Sequence, residues 1–170
     1  GPHRGHIRSS QIKAKQPITL TSELMTRFMM TNEQACQLVL ESCAIAHGGE
    51  VFVTKMSVIG IKQLANVMRD RLAPVYGHDP SDIEIQIVGP RPGEKNYEEL
   101  TTQEEIRRTQ EGENLLIVVP AYTAVYREFN YAYPFALVQS KSEYNSETTQ
   151  MITDADLNLL LDEINLPGHG

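Results

Sequence analysis

The stretch that decides the fold reads Thr31-Asn32-Glu33-Gln34-Ala35-Cys36-Gln37-Leu38-Val39-Leu40-Glu41-Ser42-Cys43. Thr31 and Gln34 have the spacing of a capping box, in which each side chain binds the other residue's backbone N–H group at the start of a helix. Four apolar residues then follow at positions i, i+3, i+4 and i+7, on one side of that helix: Cys36, Val39, Leu40 and Cys43. The pattern predicts a helix that begins after Thr31 and ends before the pair Gly48-Gly49.

Helix and strand patterns alternate on both sides of this stretch. Clustered or alternating β-branched and apolar residues predict strands at 17–20, 51–53, 83–87 and 115–119. Further helices are predicted to begin at Ile61, with the helical period broken by Pro74 and Gly77, and at Thr153, with Asp156 as its capping partner. We therefore expect an α/β or α+β fold in which a small mixed sheet is flanked by helices.

The net charge and the lengths of the apolar runs argue against two classes of partner. The formal net charge is −7, whereas a general nucleic-acid surface needs clustered Lys and Arg. No apolar run approaches the ~20 residues that span a bilayer, and no signal-peptide segment follows the N-terminus. We expect a cytoplasmic protein whose chain, as given, has neither a nucleic-acid nor a membrane partner.

The two cysteines, Cys36 and Cys43, lie seven residues apart on the predicted helix. At about 1.5 Å rise per residue their side chains are roughly 10 Å apart, too far for a disulfide. We expect both to be small, buried apolar residues in a reducing compartment.

Motifs of catalysis and of cofactor binding are missing from the sequence. No G-x-G-x-x-G turn is present to hold a dinucleotide, and no Tyr is followed four residues later by Lys, the proton-transfer pair of short-chain dehydrogenases. The five histidines are scattered rather than spaced as metal ligands: His3, His6, His47, His78 and His169. We predict that this chain holds no cofactor, no metal and no catalytic residue of its own.

Two arginines are the candidate binding residues. Arg91 lies in the turn Gly89-Pro90-Arg91-Pro92-Gly93, and Arg27 lies among the apolar residues of Met25-Thr26-Arg27-Phe28-Met29-Met30. A guanidinium group binds phosphate oxygens through two parallel hydrogen bonds, so the pair is suited to clamp a diphosphate. The alternative is that each arginine pairs with a nearby carboxylate, such as Glu94 or Glu23.

Three ordered motifs carry a resemblance to a known family. They are the 20–31 run with the helix after it, the segment Gly48-Gly49-Glu50-Val51-Phe52-Val53, and the segment Arg91-Pro92-Gly93-Glu94-Lys95-Asn96-Tyr97-Glu98-Glu99-Leu100. Tyr144-Asn145-Ser146 and the final helix also resemble the tail of that family. The chain resembles the C-terminal half of the polysaccharide-biosynthesis dehydratases and epimerases, relatives of UDP-N-acetylglucosamine 4,6-dehydratases among the extended short-chain dehydrogenases.

The resemblance implies roles for four residues. Arg27 and Arg91 would bind the pyrophosphate of a UDP-sugar, Glu94 would bind the ribose hydroxyls, and Met29 would line the nucleoside. NAD(P) and the catalytic residues would belong to a Rossmann half absent from this chain. Separately, the leading Gly1-Pro2 and the lack of periodicity indicate that residues 1–10 are a tag or a basic arm. By the resemblance, residues 11–120 are the nucleotide-sugar-binding lobe and residues 121–170 a tail with the terminal helix.

Neighbouring residues are expected to be structural. Asn96 replaces the family's usual leucine, so Lys95 and Tyr97 are interpreted as structural. Methionines fill irregular gaps in cores, which favours a core position for Met25 and Met30, together with Phe28. The 97–110 stretch is weakly helical, and its acidic residues are expected on a solvated helix face with a Glu104–Arg108 pair at i, i+4 spacing.

Three functions remain open at this point. The first is a substrate-binding lobe, inactive alone, of a sugar-nucleotide dehydratase or epimerase. The second is an interaction or oligomerisation module derived from that family, with its arginines paired to carboxylates. The third, a complete small enzyme, lacks a readable nucleophile or base. Without the missing half, the chain is expected to expose apolar surface that the half would otherwise cover. Such surface favours self-association, so we expect a homo-oligomer.

Overall fold

The computed structural model describes Ile7 and residues 9–121 and 131–168. Tyr122 and Tyr126 lie outside the described residues, as do His3, His6 and His169. The helices are α1 (Ser9–Lys13), α2 (Asn32–Ile45), α3 (Ile61–Val75) and α4 (Asp154–Glu163). The strands are β1 (Ile18–Leu20), β2 (Thr26–Met29), β3 (Val51–Thr54), β4 (Ser57–Gly60), β5 (Ile85–Ile87), β6 (Thr109–Glu111), β7 (Leu115–Val118) and β8 (Val138–Gln139).

Three small sheets make up the β structure of the described residues. Strand β1 pairs in parallel with β5, and β2 pairs antiparallel with β4. The third sheet has the order β3-β7-β6-β8 with antiparallel neighbours, and all four residues of β7 are buried. The predicted fold class, a mixed α/β arrangement of small sheets and helices, is confirmed.

Helix α3 lies between two hydrophobic cores. One side packs into a first core: Ile12, Ile18, Leu20, Ala65, Leu72, Ala73 and Ile83. The other side reaches a second core built with α4: Ile59, Val67, Leu157 and Leu161. Pro74 does not stop the helix before Val75, since it lies in the last turn. Across Ile7, 9–121 and 131–168, no helix is both long and apolar enough to cross a membrane.

The N-terminal part of the chain joins the first core. Helix α1 begins at Ser9, inside the arm predicted for residues 1–10, and Ile12 is fully buried. Ile7 also packs against this core. The division of the rest into residues 11–120 and 121–170 stays a prediction.

Helix α2 begins where the sequence predicts, but the side that packs against the protein differs from the predicted side. The Thr31 hydroxyl accepts from Gln34 N at 3.2 Å, and the Gln34 side chain accepts from Thr31 N at 2.9 Å. Cys36 and Cys43 are exposed, so the prediction that they are buried was wrong. The helix lies along β3 through half-buried residues at i, i+3, i+7 and i+10 spacing, which turns the cysteines to solvent: Ala35, Leu38, Ser42 and Ile45.

The 97–110 stretch is mostly irregular rather than helical. Only Glu105–Arg108 forms a short 3-10 turn, after which β6 begins at Thr109. The buried Thr109 hydroxyl donates to Glu105 O at 2.7 Å, which ends the turn and directs the chain into the sheet. The predicted Glu104–Arg108 pair is replaced by a Glu105–Arg108 contact of 3.7 Å.

Candidate functional site

A shallow depression of about 540 Å³ lies where β2 meets the segment that follows the proline-rich turn. It is lined by Arg27, Gly93, Lys95, Tyr97, Glu98, Glu99 and Leu100. One predicted site residue, Arg27, is therefore in the lining, whereas Lys95 and Tyr97, interpreted from the sequence as structural, are there as well.

Backbone carbonyl groups hold the Arg27 side chain in place. Its guanidinium donates to Thr26 O at 2.7 Å and to Lys95 O at 2.9 Å. The Glu98 carboxylate is farther away, with 3.9 Å between Arg27 Nε and Glu98 Oε1. Because carbonyl oxygens orient a guanidinium without neutralising it, Arg27 keeps a positive charge at a fixed place. Such a charge is suited to bind an anion.

The turn that carries Arg91 is closed by Glu94. Glu94 N donates to Arg91 O at 3.1 Å, and the Glu94 carboxylate accepts from Arg91 N at 3.3 Å. Gly89 and Gly93 have φ values of +89° and +79°, a conformation that glycine adopts without strain and other residues avoid. The turn is therefore as constrained as its sequence predicts, and it presents Arg91 on an exposed surface.

Two carboxylates, Glu23 and Glu94, were the alternative partners of the arginines, and each makes a contact in the structure. Glu23 forms an ion pair with Lys62 at 2.7 Å rather than with Arg27. Glu94 binds the backbone N–H group of Arg91. The carboxylate nearest Arg27 is Glu98, which the sequence pattern had assigned to a solvated helix face.

Met29 lies at the end of β2 and packs against the second core. It is not among the residues that line the depression with Arg27. Its contact with a nucleoside stays a prediction. The core position predicted for Met25 is confirmed, since its side chain is 6% exposed, and Phe28 packs on the ring of Tyr144 at 4.8 Å between centroids.

Glu98 joins β2 to the lining of the depression. Its carboxylate accepts from Phe28 N at 2.9 Å, and its own backbone N–H donates to the Ser146 hydroxyl at 2.8 Å. The prediction of a helix face for Glu98 was wrong, because the chain runs extended here and Glu99 forms a β-bridge with Asn145. The sequence signal that could have found Glu98 is its place four residues after Glu94, within the same motif.

Tyr144 joins the segment that lines the depression to Met56. Its hydroxyl accepts from Met56 N at 2.8 Å and donates to Met56 O at 3.3 Å, and its backbone carbonyl accepts from Leu100 N at 2.9 Å. Burial raises the pKa of the Tyr144 hydroxyl, so the group stays protonated at neutral pH and keeps the donated bond. The tail thereby fixes the position of the 94–100 segment.

The lining combines two cations with two carboxylates. Arg27 and Lys95 supply positive charge, Glu98 and Glu99 supply negative charge, and Tyr97 supplies an aromatic ring. Guanidinium and ammonium groups bind phosphates, carboxylates accept hydrogen bonds from sugar hydroxyls, and a ring stacks on another flat group. The arrangement is chemically suited to bind a ligand that is both anionic and rich in hydroxyl groups.

Comparison with known proteins identifies the family. The model of a family described as polysaccharide biosynthesis protein matches residues 7–120. This chain belongs to that family. An uncharacterized membrane protein of Methanocaldococcus jannaschii is 40% identical over 93% of the chain. A UDP-glucose 4-epimerase of Rickettsia bellii is 30% identical over 89% of it.

A solved structure gives the same result. The X-ray structure of Pen from Bacillus thuringiensis matches with a TM-score of 0.74 and 36% identity over 93% of this chain. The predicted membership of the nucleotide-sugar dehydratase and epimerase family is confirmed. The chain spans less than half the length of these relatives: 44% of the M. jannaschii protein, 42% of the epimerase and 44% of the solved chain.

The family in general uses NAD(P), and two turns that lead from a strand into a helix can be compared with the turn that this cofactor requires. A dinucleotide pyrophosphate binds the free N–H groups at a glycine-rich turn between a strand and a helix. Between β2 and α2, Thr31 and Gln34 bind each other's N–H groups. Between β4 and α3, Ile61 N donates to Met25 O, and a Cβ added to Gly60 would lie 2.9 Å from Met151 Sδ, so this helix start is covered.

Proposed function

We propose that this chain is the nucleotide-sugar-binding portion of a sugar-nucleotide 4,6-dehydratase or epimerase of polysaccharide biosynthesis, with a UDP-sugar as its ligand. The observation that carries the proposal is Arg27. Its guanidinium is charged, held by two carbonyl oxygens and located beside the segment that follows the Arg91–Glu94 turn. A preorganised cation of this kind binds a diphosphate at a lower entropic cost than a free surface arginine.

Each predicted residue has a proposed contact with the ligand. Arg27 and Arg91 bind the pyrophosphate, with one cation on β2 and the other on the constrained turn. Glu94 accepts hydrogen bonds from the ribose, and Met29 lies towards the nucleoside. Lys95 and Glu98 join the proposed set because both line the depression with Arg27.

We also propose that NAD(P) and the redox-assisted elimination or epimerisation belong to the remainder of a longer parent protein. The relatives are more than twice as long as the part that this chain matches, which supports the proposal. In such a parent this portion orients the sugar, which is a contribution of proximity rather than of chemistry. Alone, it binds without turnover. A cytoplasmic location stays a prediction.

The exposed side of α2 is where we propose that the remainder of the parent packs. Val39 and Leu40 are 60% and 68% exposed. Together with Cys36 and Cys43 they have the spacing of a buried helix face. Exposed apolar residues grouped on one side of a helix are suited to form an interface. The predicted homo-oligomer would use the same surface, and so would the alternative function of an interaction module.

Replacing Leu40 by serine tests whether this surface is free in the isolated chain. We expect the free energy of unfolding to change by less than about 0.5 kcal/mol, because surface substitutions remove little contact. Leu157→Ala, in the second core, is the control and should cost about 2–5 kcal/mol. Urea unfolding followed by circular dichroism measures both. An equal loss for the two variants would show that the exposed side of α2 is covered.

Calorimetric titration with UDP and with UDP-N-acetylglucosamine tests the proposed function. Binding to the unaltered chain should weaken about tenfold or more in Arg91→Ala, since a lost hydrogen bond to a charged group is worth roughly 1.5–3 kcal/mol. Glu94→Gln should weaken it less, because the amide oxygen still accepts a hydrogen bond. Arg107→Ala, an exposed arginine in the 3-10 turn, makes the same charge change away from the depression. If neither ligand binds the unaltered chain, the interaction module is the better account.

A further inference from the structure

A buried serine in the tail connects the two sides of the depression. Ser146 is 1% exposed. Its hydroxyl lies 3.0 Å from the Thr26 hydroxyl and 3.3 Å from Thr26 O, and it accepts from Glu98 N at 2.8 Å. Its backbone N–H donates to Glu98 O at 2.9 Å. One side chain thus holds β2 and the 94–100 segment together.

These contacts converge on the guanidinium of Arg27. Thr26 O, which faces the Ser146 hydroxyl, also accepts from Arg27 at 2.7 Å. Glu98, held by Ser146 at both its N–H and its carbonyl, places its carboxylate 3.9 Å from Arg27 Nε. Thr26 and Glu98 therefore each contact both Ser146 and Arg27. A displacement of Thr26 or Glu98 would displace a partner of the guanidinium.

The loop around Ser146 is itself fixed. The Asn145 side-chain oxygen accepts from Glu147 N at 3.0 Å, from Thr148 N at 2.9 Å and from the Thr148 hydroxyl at 3.0 Å. Asn145 is 5% exposed. These three hydrogen bonds share one acceptor on a buried side chain, and losing them would leave that desolvated oxygen without partners. Ser146 is thus held on a stiff support rather than on a free tail.

We propose that Ser146 is a positioning residue for anion binding at Arg27, acting through Thr26 and Glu98. It lies beyond residues 7–120, which the family model matches. The tail therefore completes the site instead of only packing behind it. The identity of the ligand, UDP or a UDP-sugar, rests on the proposed function, whereas the effect of Ser146 on Arg27 does not.

The test compares Ser146→Ala with Ser140→Ala. Ser140 is also buried, at 4% exposure, but its hydroxyl donates to Ser142 O near β8, in the four-stranded sheet. Two readouts are taken on the whole chain. One is the Kd for UDP by calorimetry, and the other is the Nε–Hε resonance of Arg27 by ¹⁵N NMR, with its rate of exchange with water.

We expect Ser146→Ala to weaken UDP binding about fivefold, the effect of one lost hydrogen bond at a binding group. It should also shift the Arg27 Nε–Hε resonance and speed its exchange. Ser140→Ala should change neither readout, even where both variants lose similar thermal stability. The inference is overturned if the two variants have the same Arg27 resonance as the unaltered chain. Absence of UDP binding to the unaltered chain, with the Arg27 shift still present in Ser146→Ala, would instead reject the proposed ligand alone.

Discussion

Replacing Arg27 by alanine should reduce UDP binding by at least about tenfold, and by more than any other single substitution in the depression. A charge-assisted hydrogen bond is worth about 1.5–3 kcal/mol, and 1.4 kcal/mol is a factor of ten in Kd. Arg27 is preorganised by Thr26 O and Lys95 O, so its full contribution is available to the ligand. Calorimetric titration at fixed ionic strength measures the change.

The matched control for this prediction is Arg108→Ala. Both arginine side chains are 26% exposed, both donate to a backbone carbonyl, and both face a carboxylate at a loose distance, 3.9 Å for Arg27 and 3.7 Å for Arg108. Arg108→Ala therefore removes the same charge from a similar setting outside the depression. Equal losses of UDP affinity in the two variants would mean that only the net charge of the protein matters, and the site would have to be abandoned.

Replacing Arg71 by alanine should lower the free energy of unfolding by about 3 kcal/mol, towards the lower end of the range for breaking a buried pair. Arg71 is 4% exposed and joins α3 to α4, with hydrogen bonds to Asp162 at 2.7 Å and to the Asn158 side chain at 3.0 Å. The lower end applies because the Asp162 side chain is 37% exposed and can regain water. Urea unfolding with an unchanged m-value measures the loss.

A neighbour on the same helix provides the comparison. Arg69 pairs with Asp70 at 3.0 Å, and the Asp70 side chain is 58% exposed. Exposed pairs of this kind contribute roughly 0–1 kcal/mol, so Arg69→Ala should be close to neutral. A small and equal effect of the two substitutions would show that Arg71 does not hold α4 against α3.

Local patterns were enough to predict the starts of α2, α3 and α4 and four of the eight strands in the described residues, β1, β3, β5 and β7. The capping residues Thr31 and Thr153 each bind a backbone N–H group three residues later, a contact that depends only on the nearby sequence. The 115–119 strand was recognisable because it is continuously apolar, as a strand buried on both faces must be. Likewise, the rigid turn around Arg91 follows from its own glycines and prolines.

Contacts between distant segments could not be predicted in the same way. The side of α2 that meets the protein depends on where β3 passes, and the helical period alone favoured the side with Cys36 and Cys43. Glu98 was assigned to solvent because its hydrogen-bond partners, Phe28 and Ser146, are 70 and 48 residues away. The sequence pattern selected Arg27 and the resemblance gave it a role, but its contacts in the depression required the folded chain.

The central claim is that the depression at Arg27 binds the diphosphate of a nucleotide sugar. A ¹⁵N-correlation NMR titration of the whole chain with UDP tests it most directly, because it reports both binding and location. We predict saturable shifts confined to 26–29 and 91–100, with the Arg27 Nε–Hε resonance moving at the same UDP concentrations. An absence of shifts at saturating UDP, or shifts centred on the apolar cavity between Ile45 and Phe135, would contradict the claim.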